Sequence, residues 1–453
     1  MQSAADAYNE LLADDALAAE SIESLQAGQE RRNLVFGGNP LSVSLRPRLM
    51  SATAWDYAVR AAHSIHGALS TLEAALLVDA ELRAELDLEP DEETLAMVDP
   101  PGGLSSPSSR LDSFAADEVR YVEFNAESPA GMAYGDVLSE VMRALPVMRK
   151  FAERYKLRAL PTRGAQRDCM LAAFEHWGGG GTAGPSIAIV DWSGVPTMAE
   201  FEMFRDYFEA GGVPCVICEP AALSYDGQKL RGPDGQVVNI VYRRVLTSEL
   251  LAREGLDSPM CRAYLEGAVV VVNSFRAKLL HKKMSLALLS DDQYSSLFST
   301  RQLEAIDRHI PWTRRVRDGR SSKDGQEIRD LGEYILANRQ TLVLKPNDEY
   351  GGKGVVLGWT VDEAEWSSVL SSAMHDSYVV QESVPVPREA WPLAIGGRAE
   401  VVDMAVDMDP YLFGGQVGGA LVRLSSSALL NVTAGAGSVV PTYVIEDDNT
   451  EVV

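Results

Sequence analysis

The chain has 453 residues, of which 46% are hydrophobic and 23% charged, a composition typical of a soluble globular protein with about two to four lobes. Acidic residues number 65 against 41 lysines and arginines, giving a formal net charge of −24. Because nucleic acids and anionic membranes both require basic surfaces, neither is expected as a partner. Four cysteines are too few for a disulfide framework. The N-terminus does not resemble a signal peptide and no apolar run has membrane length, so we expect a cytoplasmic protein.

The first hundred residues are predicted to be mainly helical, and we treat 1–100 as an N-terminal helical segment. One alanine- and acid-rich helix is predicted for residues 1–33. From Ala52 to Leu86, apolar residues recur at intervals of three and four, which indicates a long amphipathic helix or a helix pair. Between these helices, Arg46 and Arg48 flank a proline. Binding of a substrate carboxylate and a solvent-exposed position suit these two arginines equally well.

Two extended segments with alternating polar residues follow, within a segment that we bound at 101–160. Arg110 and Asp112 share one face of the first, and Glu123 and Asn125 share one face of the second. Two carboxylates and an amide oxygen are the hard ligands that Mg²⁺ prefers, so we predict a magnesium site at Asp112, Glu123 and Asn125. Arg110 is suited to neutralising charge on a transferring phosphoryl group. Two solvent-facing strand edges are the alternative.

Residues 161–300 carry the pattern of a doubly wound α/β domain. The pattern predicts, in order, a strand at 187–192, a helix at 197–210, a strand at 213–218, hairpin turns at 225–227 and 233–235, and a strand at 269–273 followed by helix to 289. Cys215 and Cys218 fall within a β-branched run and are predicted to be buried strand residues. His281 lies beside two lysines, where phosphate contact and solvent exposure are both compatible with the sequence.

The most informative stretch lies in the segment 301–395, after a polar loop at 319–325 that we predict to be mobile. An apolar strand ends in Lys345 and a proline, a glycine-rich loop follows, and a second apolar run begins at Val355. Glycines let backbone N–H groups approach an anion closely, which favours a lid over nucleotide phosphates. The predicted phosphate-binding residues are Lys345, Gly351, Gly352, Lys353 and Gly354. Considered alone, the loop is better explained as an ordinary glycine hairpin with surface lysines.

A short strand that ends in a polar pair follows at 378–385. Gln381 and Glu382 precede Val384 and a proline. A linker that offers a carboxylate and alternating backbone donors and acceptors suits an adenine edge, so we predict that Gln381, Glu382 and Val384 contact the nucleotide. An edge strand with solvated polar side chains is the alternative. Combined with the lysine strand and the glycine loop, this segment favours nucleotide binding.

These motifs resemble the ATP-grasp ligases, and specifically the circularly permuted branch that includes glutathionylspermidine synthase and uncharacterised bacterial relatives. In other ATP-grasp enzymes the lysine and the lid precede the metal-binding strands, whereas here Asp112 comes first and Lys345 last. The resemblance covers most of the chain from about Pro40. It extends to the following C-terminal positions, within a segment 396–453 that would complete the core: 418–423, Asn431 and 440–441.

The resemblance implies an α/β (α+β) ATP-grasp fold in permuted order, with a pre-ATP-grasp-like domain at 161–300 and the nucleotide lobe at 301–395. It implies ATP and Mg²⁺ as cofactors, and a carboxylate and an amine as substrates, joined through an acylphosphate with Arg110 as the catalytic residue. The acid, the amine, the oligomeric state and the role of Arg423 stay open. A phosphotransferase or ATPase, or a non-catalytic nucleotide-binding protein of the same fold, are the alternative functions.

Overall fold

The computed structural model describes residues 3–179, 184–427 and 437–446. The N-terminal elements are α1 (Ala4–Leu11), α2 (Asp15–Arg31), β1 (Val35–Phe36), β2 (Asn39–Pro40), β3 (Arg48–Ser51), α3 (Ala52–Val78), α4 (Ala80–Ala84) and α5 (Pro90–Ala96). The single helix predicted for residues 1–33 is wrong, because the Asp14 carboxylate accepts hydrogen bonds from the N–H groups of Ala16 and Leu17 and so starts a second helix. The predicted long amphipathic helix is confirmed as α3.

The predicted metal segment forms an antiparallel hairpin. The elements here are β4 (Ser108–Ala115), β5 (Val119–Asn125), α6 (Met132–Arg143), α7 (Pro146–Ala152), β6 (Leu157–Ala159) and α8 (Arg163–Trp177). Leu111 and Phe124 of the hairpin are buried in an apolar core beneath α3. Because successive strand residues point to opposite faces, this burial directs the neighbouring polar side chains to the other face.

The middle region contains a parallel sheet of order β13-β12-β7-β8. Its elements are β7 (Ile187–Val190), α9 (Met198–Ala210), β8 (Cys215–Cys218), β9 (Ser224–Tyr225), β10 (Leu230–Arg231), β11 (Val237–Val238), β12 (Ile240–Arg243), α10 (Thr247–Glu254), α11 (Pro259–Leu265), β13 (Val270–Val272), α12 (Lys278–His281) and α13 (Met284–Ser290). The predicted helix to 289 is divided, because the N–H groups of Lys283 and Met284 donate to Asn347.

The lobe that carries the glycine loop contains a four-stranded antiparallel sheet of order β14-β19-β17-β18. Its elements are α14 (Thr300–His309), β14 (Thr313–Arg315), β15 (Ser321–Lys323), β16 (Gln326–Ile328), α15 (Leu331–Ala337), β17 (Leu342–Pro346), β18 (Val356–Leu357), α16 (Glu363–Ala373) and β19 (Tyr378–Glu382). The predicted strand, turn and returning strand are confirmed. The loop predicted at 319–325 is instead the β15–β16 hairpin, and β19 is an interior strand rather than an edge strand.

Five C-terminal strands complete the largest sheet, which also contains the β4–β5 hairpin. They are β20 (Arg388–Ile395), β21 (Arg398–Val406), β22 (Asp409–Phe413), β23 (Gln416–Ser425) and β24 (Gly437–Val440), whereas β25 (Thr442–Ile445) pairs with β3 and β6 in a separate sheet. Six of the strands follow the order β20-β21-β23-β22-β4-β5, and β24 pairs with β23. Strands from the two ends of the chain therefore lie side by side, with the lysine lobe between them in sequence. Asn431 lies outside the described residues.

No helix in the described ranges combines enough length and apolar character to cross a lipid bilayer.

Candidate active site

The β4–β5 hairpin places four of the predicted site residues on one face. Arg110 is paired with Asn125 across the strands, and Asp112 with Glu123. The Arg110 guanidinium donates two hydrogen bonds to the Asp112 carboxylate, from Nε (2.7 Å) and from Nη2 (3.0 Å). Asn125 Nδ2 donates to Asp112 Oδ1 at 2.9 Å. The side-chain oxygens predicted to bind a metal and the predicted catalytic arginine are therefore neighbours.

A second arginine, on β23, completes this cluster. Arg423 Nη2 donates to Asp112 Oδ2 (3.0 Å) and to Asp409 Oδ2 (2.8 Å), while its Nε donates to Asp407 Oδ2 (2.6 Å). Sequence reasoning left the role of Arg423 open and missed both aspartates. Their only signal in the sequence is alternation, since Asp407 and Asp409 are separated by Met408.

Burial and neighbouring charges shift the pKa values of the three carboxyl groups in opposite directions. Burial opposes ionisation of Asp112, but Arg110 and Arg423 hold its pKa well below the ordinary value. Asp409 is raised well above its ordinary pKa, first by burial and then by repulsion from Asp112 and Asp407. Burial also raises the pKa of Asp407, against the attraction of Arg423. Asp112 therefore remains an anion although it is buried, and Asp407 and Asp409 hold Arg423 in place.

Lys345 brings the glycine-loop lobe to this hairpin. Its Nζ donates to Gln381 Oε1 at 2.6 Å and to the Val122 carbonyl of β5 at 3.2 Å. Burial lowers the pKa of Lys345 to about 8. Nearby, Lys283 Nζ lies 3.1 Å from Glu123 Oε1. Two ammonium groups from different parts of the chain thus reach the strand that carries Glu123.

The residues predicted to contact adenine are largely engaged within the lobe. The Gln381 side chain is buried between Lys345 and Thr313, to which its Nε2 donates at 3.0 Å. The Glu382 carboxylate is paired with Lys323 at 2.5 Å, and its N–H donates to the Trp312 carbonyl. Val384 is half-buried just beyond the end of β19. The Gln381 side chain is therefore held between Lys345 and Thr313, and contact of this segment with adenine stays a prediction.

The glycine loop is built as a turn that requires glycine. Gly351, Gly352 and Gly354 have φ values of +63°, +76° and +70°, which side chains with a Cβ rarely adopt. A Cβ on Gly354 would lie 2.6 Å from the Pro346 ring. Lys353 points outward and pairs with Glu349 at 2.8 Å, so the structure does not bring it to Lys345.

The base of this loop is fixed by buried ion pairs. Lys278 Nζ contacts Asp348 Oδ1 (2.6 Å) and Glu127 Oε2 (3.3 Å), and Lys282 pairs with Glu92 at 2.8 Å. His281 is buried 3.6 Å from Glu127, so the alternative of solvent exposure is wrong, and phosphate contact stays a prediction. Glu127, His281 and Asp348 also have metal-ligand spacing among the described residues, but the Lys278 ammonium already occupies that position.

The two N-terminal arginines have a structural role. Arg46 is buried, stacks 4.1 Å over the Trp391 ring and lies 3.6 Å from Glu389. Arg48 pairs with the same carboxylate. Glu389 and Trp391 belong to β20, so this contact joins the N-terminal segment to the large sheet. The alternative of full solvent exposure is wrong for both residues, and a substrate-binding role stays a prediction.

Comparison with known proteins finds relatives among ligases. No family model matches the chain. A candidate glutamate–cysteine ligase 2-3 from Frankia alni is 27% identical over 337 residues, covering 70% of this chain and 36% of that protein. Among solved structures, a glutathione synthetase-like effector from Globodera pallida matches with a TM-score of 0.59 at 13% identity, over 94% of this chain and 97% of that one. A candidate γ-glutamylcysteine synthetase from Methylobacillus flagellatus matches at a TM-score of 0.43 and 10% identity, over 87% of this chain and 89% of that one.

The likeness to the effector covers nearly the whole of both chains and establishes a shared mixed α/β fold. The chain spans only about a third of the length of the Frankia alni relative. The similarity is therefore to ligase-like proteins.

Proposed function

We propose that the protein is an ATP- and Mg²⁺-dependent carboxylate–amine ligase that forms an amide bond through an acylphosphate. The contact of Lys345 with β5 carries this proposal. This contact places the Lys345 ammonium, a cation suited to binding phosphate, beside the strand face that carries Arg110 and the hard oxygen ligands. The names of the similar proteins support a ligase of this kind.

The arrangement also supports a circularly permuted ATP-grasp fold. The early hairpin β4–β5 and the late strands β22 and β23 share one sheet, and the nucleotide lobe lies between them in the sequence. We accordingly take 101–160 and 396–453 as two parts of one core and 301–395 as the nucleotide lobe. We assign the parallel sheet at 161–300 to the pre-ATP-grasp-like domain, and 1–100 to the N-terminal helical segment.

The donor set fits Mg²⁺ in its chemistry. Asp112, Glu123 and Asn125 supply oxygen atoms, which hard cations prefer. The Asn125 amide nitrogen is directed to Asp112, which leaves its oxygen for a cation, and Glu123 is partly exposed. Four N–H donors now satisfy Asp112, so one of them must move for this carboxylate to bind metal. When bound, Mg²⁺ would neutralise charge on the nucleotide phosphates.

The reaction then needs positioning and charge stabilisation more than covalent chemistry from side chains. A substrate carboxylate oxygen attacks the γ-phosphorus, the bond to the β–γ bridging oxygen breaks, and ADP leaves with the electron pair. The amine nitrogen next attacks the acylphosphate carbonyl carbon and loses a proton, and inorganic phosphate leaves. Lys345 orients the phosphates, Arg110 stabilises charge as it develops, and the glycine loop excludes water, which would hydrolyse the acylphosphate.

The test is ADP release measured across a panel of carboxylates and amines, with mass spectrometry of the products. With the correct acid, hydroxylamine should trap the acylphosphate as a hydroxamate. If the acid stimulates ADP formation, yet no hydroxamate forms under conditions that trap a known acylphosphate, the protein is a phosphotransferase or ATPase instead. Undetectable binding of nucleotide in the presence of Mg²⁺ would make it non-catalytic.

A further inference from the structure

One buried lysine connects the glycine loop to the predicted metal site. The Lys283 side chain is 5% exposed, and its ammonium group has acceptors on two separate elements. Its Nζ lies 3.1 Å from Glu123 Oε1 on β5, and it donates at 2.5 Å to the carbonyl of Glu349, at the start of the glycine loop. A single side chain therefore joins the loop to a carboxylate that we predict to bind Mg²⁺.

Backbone hydrogen bonds fix the position from which this side chain extends. The Lys283 N–H donates to the Asn347 carbonyl at 3.0 Å, and the Met284 N–H donates to Asn347 Oδ1 at 3.0 Å. Asn347 is buried, and its Nδ2 donates to the Leu86 carbonyl at 2.9 Å. Every residue of 350–354, by contrast, is exposed. The base of the loop is thus fixed to the core, and the contact of Lys283 with Glu349 is a buried restraint on the exposed part beyond it.

The Lys283 ammonium group and a metal ion need the same carboxylate. The Glu123 side chain is 23% exposed, so a cation can reach it from solvent although Lys283 is buried. Mg²⁺ prefers carboxylate oxygens as ligands, and two cations beside one carboxylate repel each other. Binding of a divalent cation at Glu123 therefore weakens the pair that Glu123 forms with Lys283.

We propose that Lys283 is a tether between β5 and the glycine loop that metal binding releases. In the metal-free protein its ammonium group holds Glu349 close to Glu123. A divalent cation at Glu123 displaces the ammonium group, so the start of the loop loses its connection to β5 and the loop becomes more mobile. The coupling is reciprocal, because a loop held against β5 by Lys283 also disfavours metal binding at Glu123. This inference rests on the metal site of the proposed function.

The first measurement is the affinity of the full chain for Mn²⁺, which prefers the same oxygen ligands as Mg²⁺, from the electron paramagnetic resonance signal of the free ion. Lys283→Met should bind Mn²⁺ about tenfold more tightly than wild type, because the competing cation is gone. With Glu123→Gln in the same chain, this gain should disappear. The matched control is Lys323→Met, which frees the partly exposed carboxylate of Glu382 outside the metal site and should leave the affinity for Mn²⁺ unchanged.

The second measurement is the rate of trypsin cleavage after Lys353, identified by mass spectrometry, which reports the mobility of the loop without any reaction. In wild type, saturating Mn²⁺ should accelerate this cleavage about tenfold, because cleavage follows the population of the open loop. In Lys283→Met, cleavage should already be fast without metal and should not change when Mn²⁺ is added. Cleavage after Lys229, in an exposed turn outside the site, is the internal control.

Either measurement can overturn the inference. An affinity for Mn²⁺ that is unchanged or lower in Lys283→Met does so, and so does cleavage of the wild-type loop that Mn²⁺ slows or leaves unchanged. If either result is found while an acid stimulates ADP release, the tether fails and the proposed function survives. If both measurements come out as expected but no acid stimulates ADP release in the presence of Mg²⁺, the proposed function fails and the coupling of metal to loop stands.

Discussion

Lys345 gives the site a pH dependence that can be measured directly. Burial lowers its pKa to about 8, so the free protein loses this cation as the pH rises through that value. Because phosphate binding needs the ammonium form, affinity for a non-hydrolysable ATP analogue should fall between pH 8 and 10, by up to about tenfold per pH unit. Calorimetric titration at fixed Mg²⁺ measures the slope.

Lys345 affects the stability of the fold in the opposite direction, because its contribution to the free energy of unfolding rises with pH. The unfolded chain keeps the lysine protonated up to its ordinary pKa of 10.5, so between about pH 8 and 10.5 it binds more protons at this residue than the folded chain. This lysine therefore contributes a free energy of unfolding that rises with pH in that window. Lys345→Arg keeps its charge and should flatten the slope of nucleotide affinity, whereas Lys229→Arg at an exposed turn should not. Equal slopes in wild type and Lys345→Arg would assign the effect to another group.

Glu123 offers a test of the metal site. Glu123→Gln removes one anionic ligand at the same shape, so the Mg²⁺ concentration needed for half-maximal nucleotide binding should rise about tenfold or more. Titration of Mg²⁺ at constant nucleotide measures the change. Glu118→Gln, at the exposed turn of the same hairpin, is the matched control. An unchanged Mg²⁺ requirement in Glu123→Gln would remove this residue from the metal site.

At the scale of elements, two glycine turns can be compared to test whether the glycine loop binds a ligand or is only a turn. Gly352 has a φ of +76° with open space around its Cα, and Gly397, in the β20–β21 turn, has a φ of +80° with equally open space. Gly352→Ala and Gly397→Ala should therefore cost the same backbone strain, about 1–2 kcal/mol. Only Gly352→Ala should weaken binding of the ATP analogue, measured by calorimetry. Equal affinities in the two variants would make the loop an ordinary turn.

The site is assembled from elements that are far apart in sequence. The hairpin β4–β5 supplies the acidic face, β17 supplies Lys345, the break between α12 and α13 supplies Lys283, and β23 supplies Arg423. The Lys283 N–H donates to the Asn347 carbonyl at the base of the glycine loop. Movement of this loop is therefore coupled to a lysine that contacts Glu123.

At the scale of the whole molecule, Arg423 on β23 joins the C-terminal strands to the β4–β5 hairpin through Asp112. Arg423→Met would leave Asp407 and Asp409 as buried carboxyl groups without their guanidinium partner, at a cost of about 3–5 kcal/mol in free energy of unfolding. Urea denaturation measures the loss. Arg388→Met breaks an exposed pair with Asp403 on the same sheet and should cost about 0–1 kcal/mol. A small loss in both variants would mean that the aspartates are neutral and need no cation.

Several lysines and arginines gather at the candidate site, although the chain as a whole is acidic. The chain carries a formal net charge of −24, yet Arg110, Arg423, Lys283 and Lys345 meet beside β4 and β5. These cations lie among the carboxylates of Asp112, Glu123, Asp407 and Asp409, so the site brings charges of both signs together on an acidic molecule.

Local patterns in the sequence determined the elements and their chemistry. Alternation along β4 and β5 gave the shared face of Arg110, Asp112, Glu123 and Asn125, because a strand has a period of two. The apolar run ending in Lys345 and the glycines after it gave the strand, turn and strand of the lobe. These features depend on neighbouring residues, so the sequence alone was sufficient to predict them.

Only the tertiary structure decided which side chains meet. Gln381 looked like a hinge residue and Arg46 like a surface or substrate-binding group, but both are buried against partners that are distant in sequence. Asp407, Asp409 and Lys283 gave no strong signal, because their roles come from long-range pairing with Arg423 and Glu123. Burial and ion pairing are properties of packed surfaces, which local periodicity does not encode.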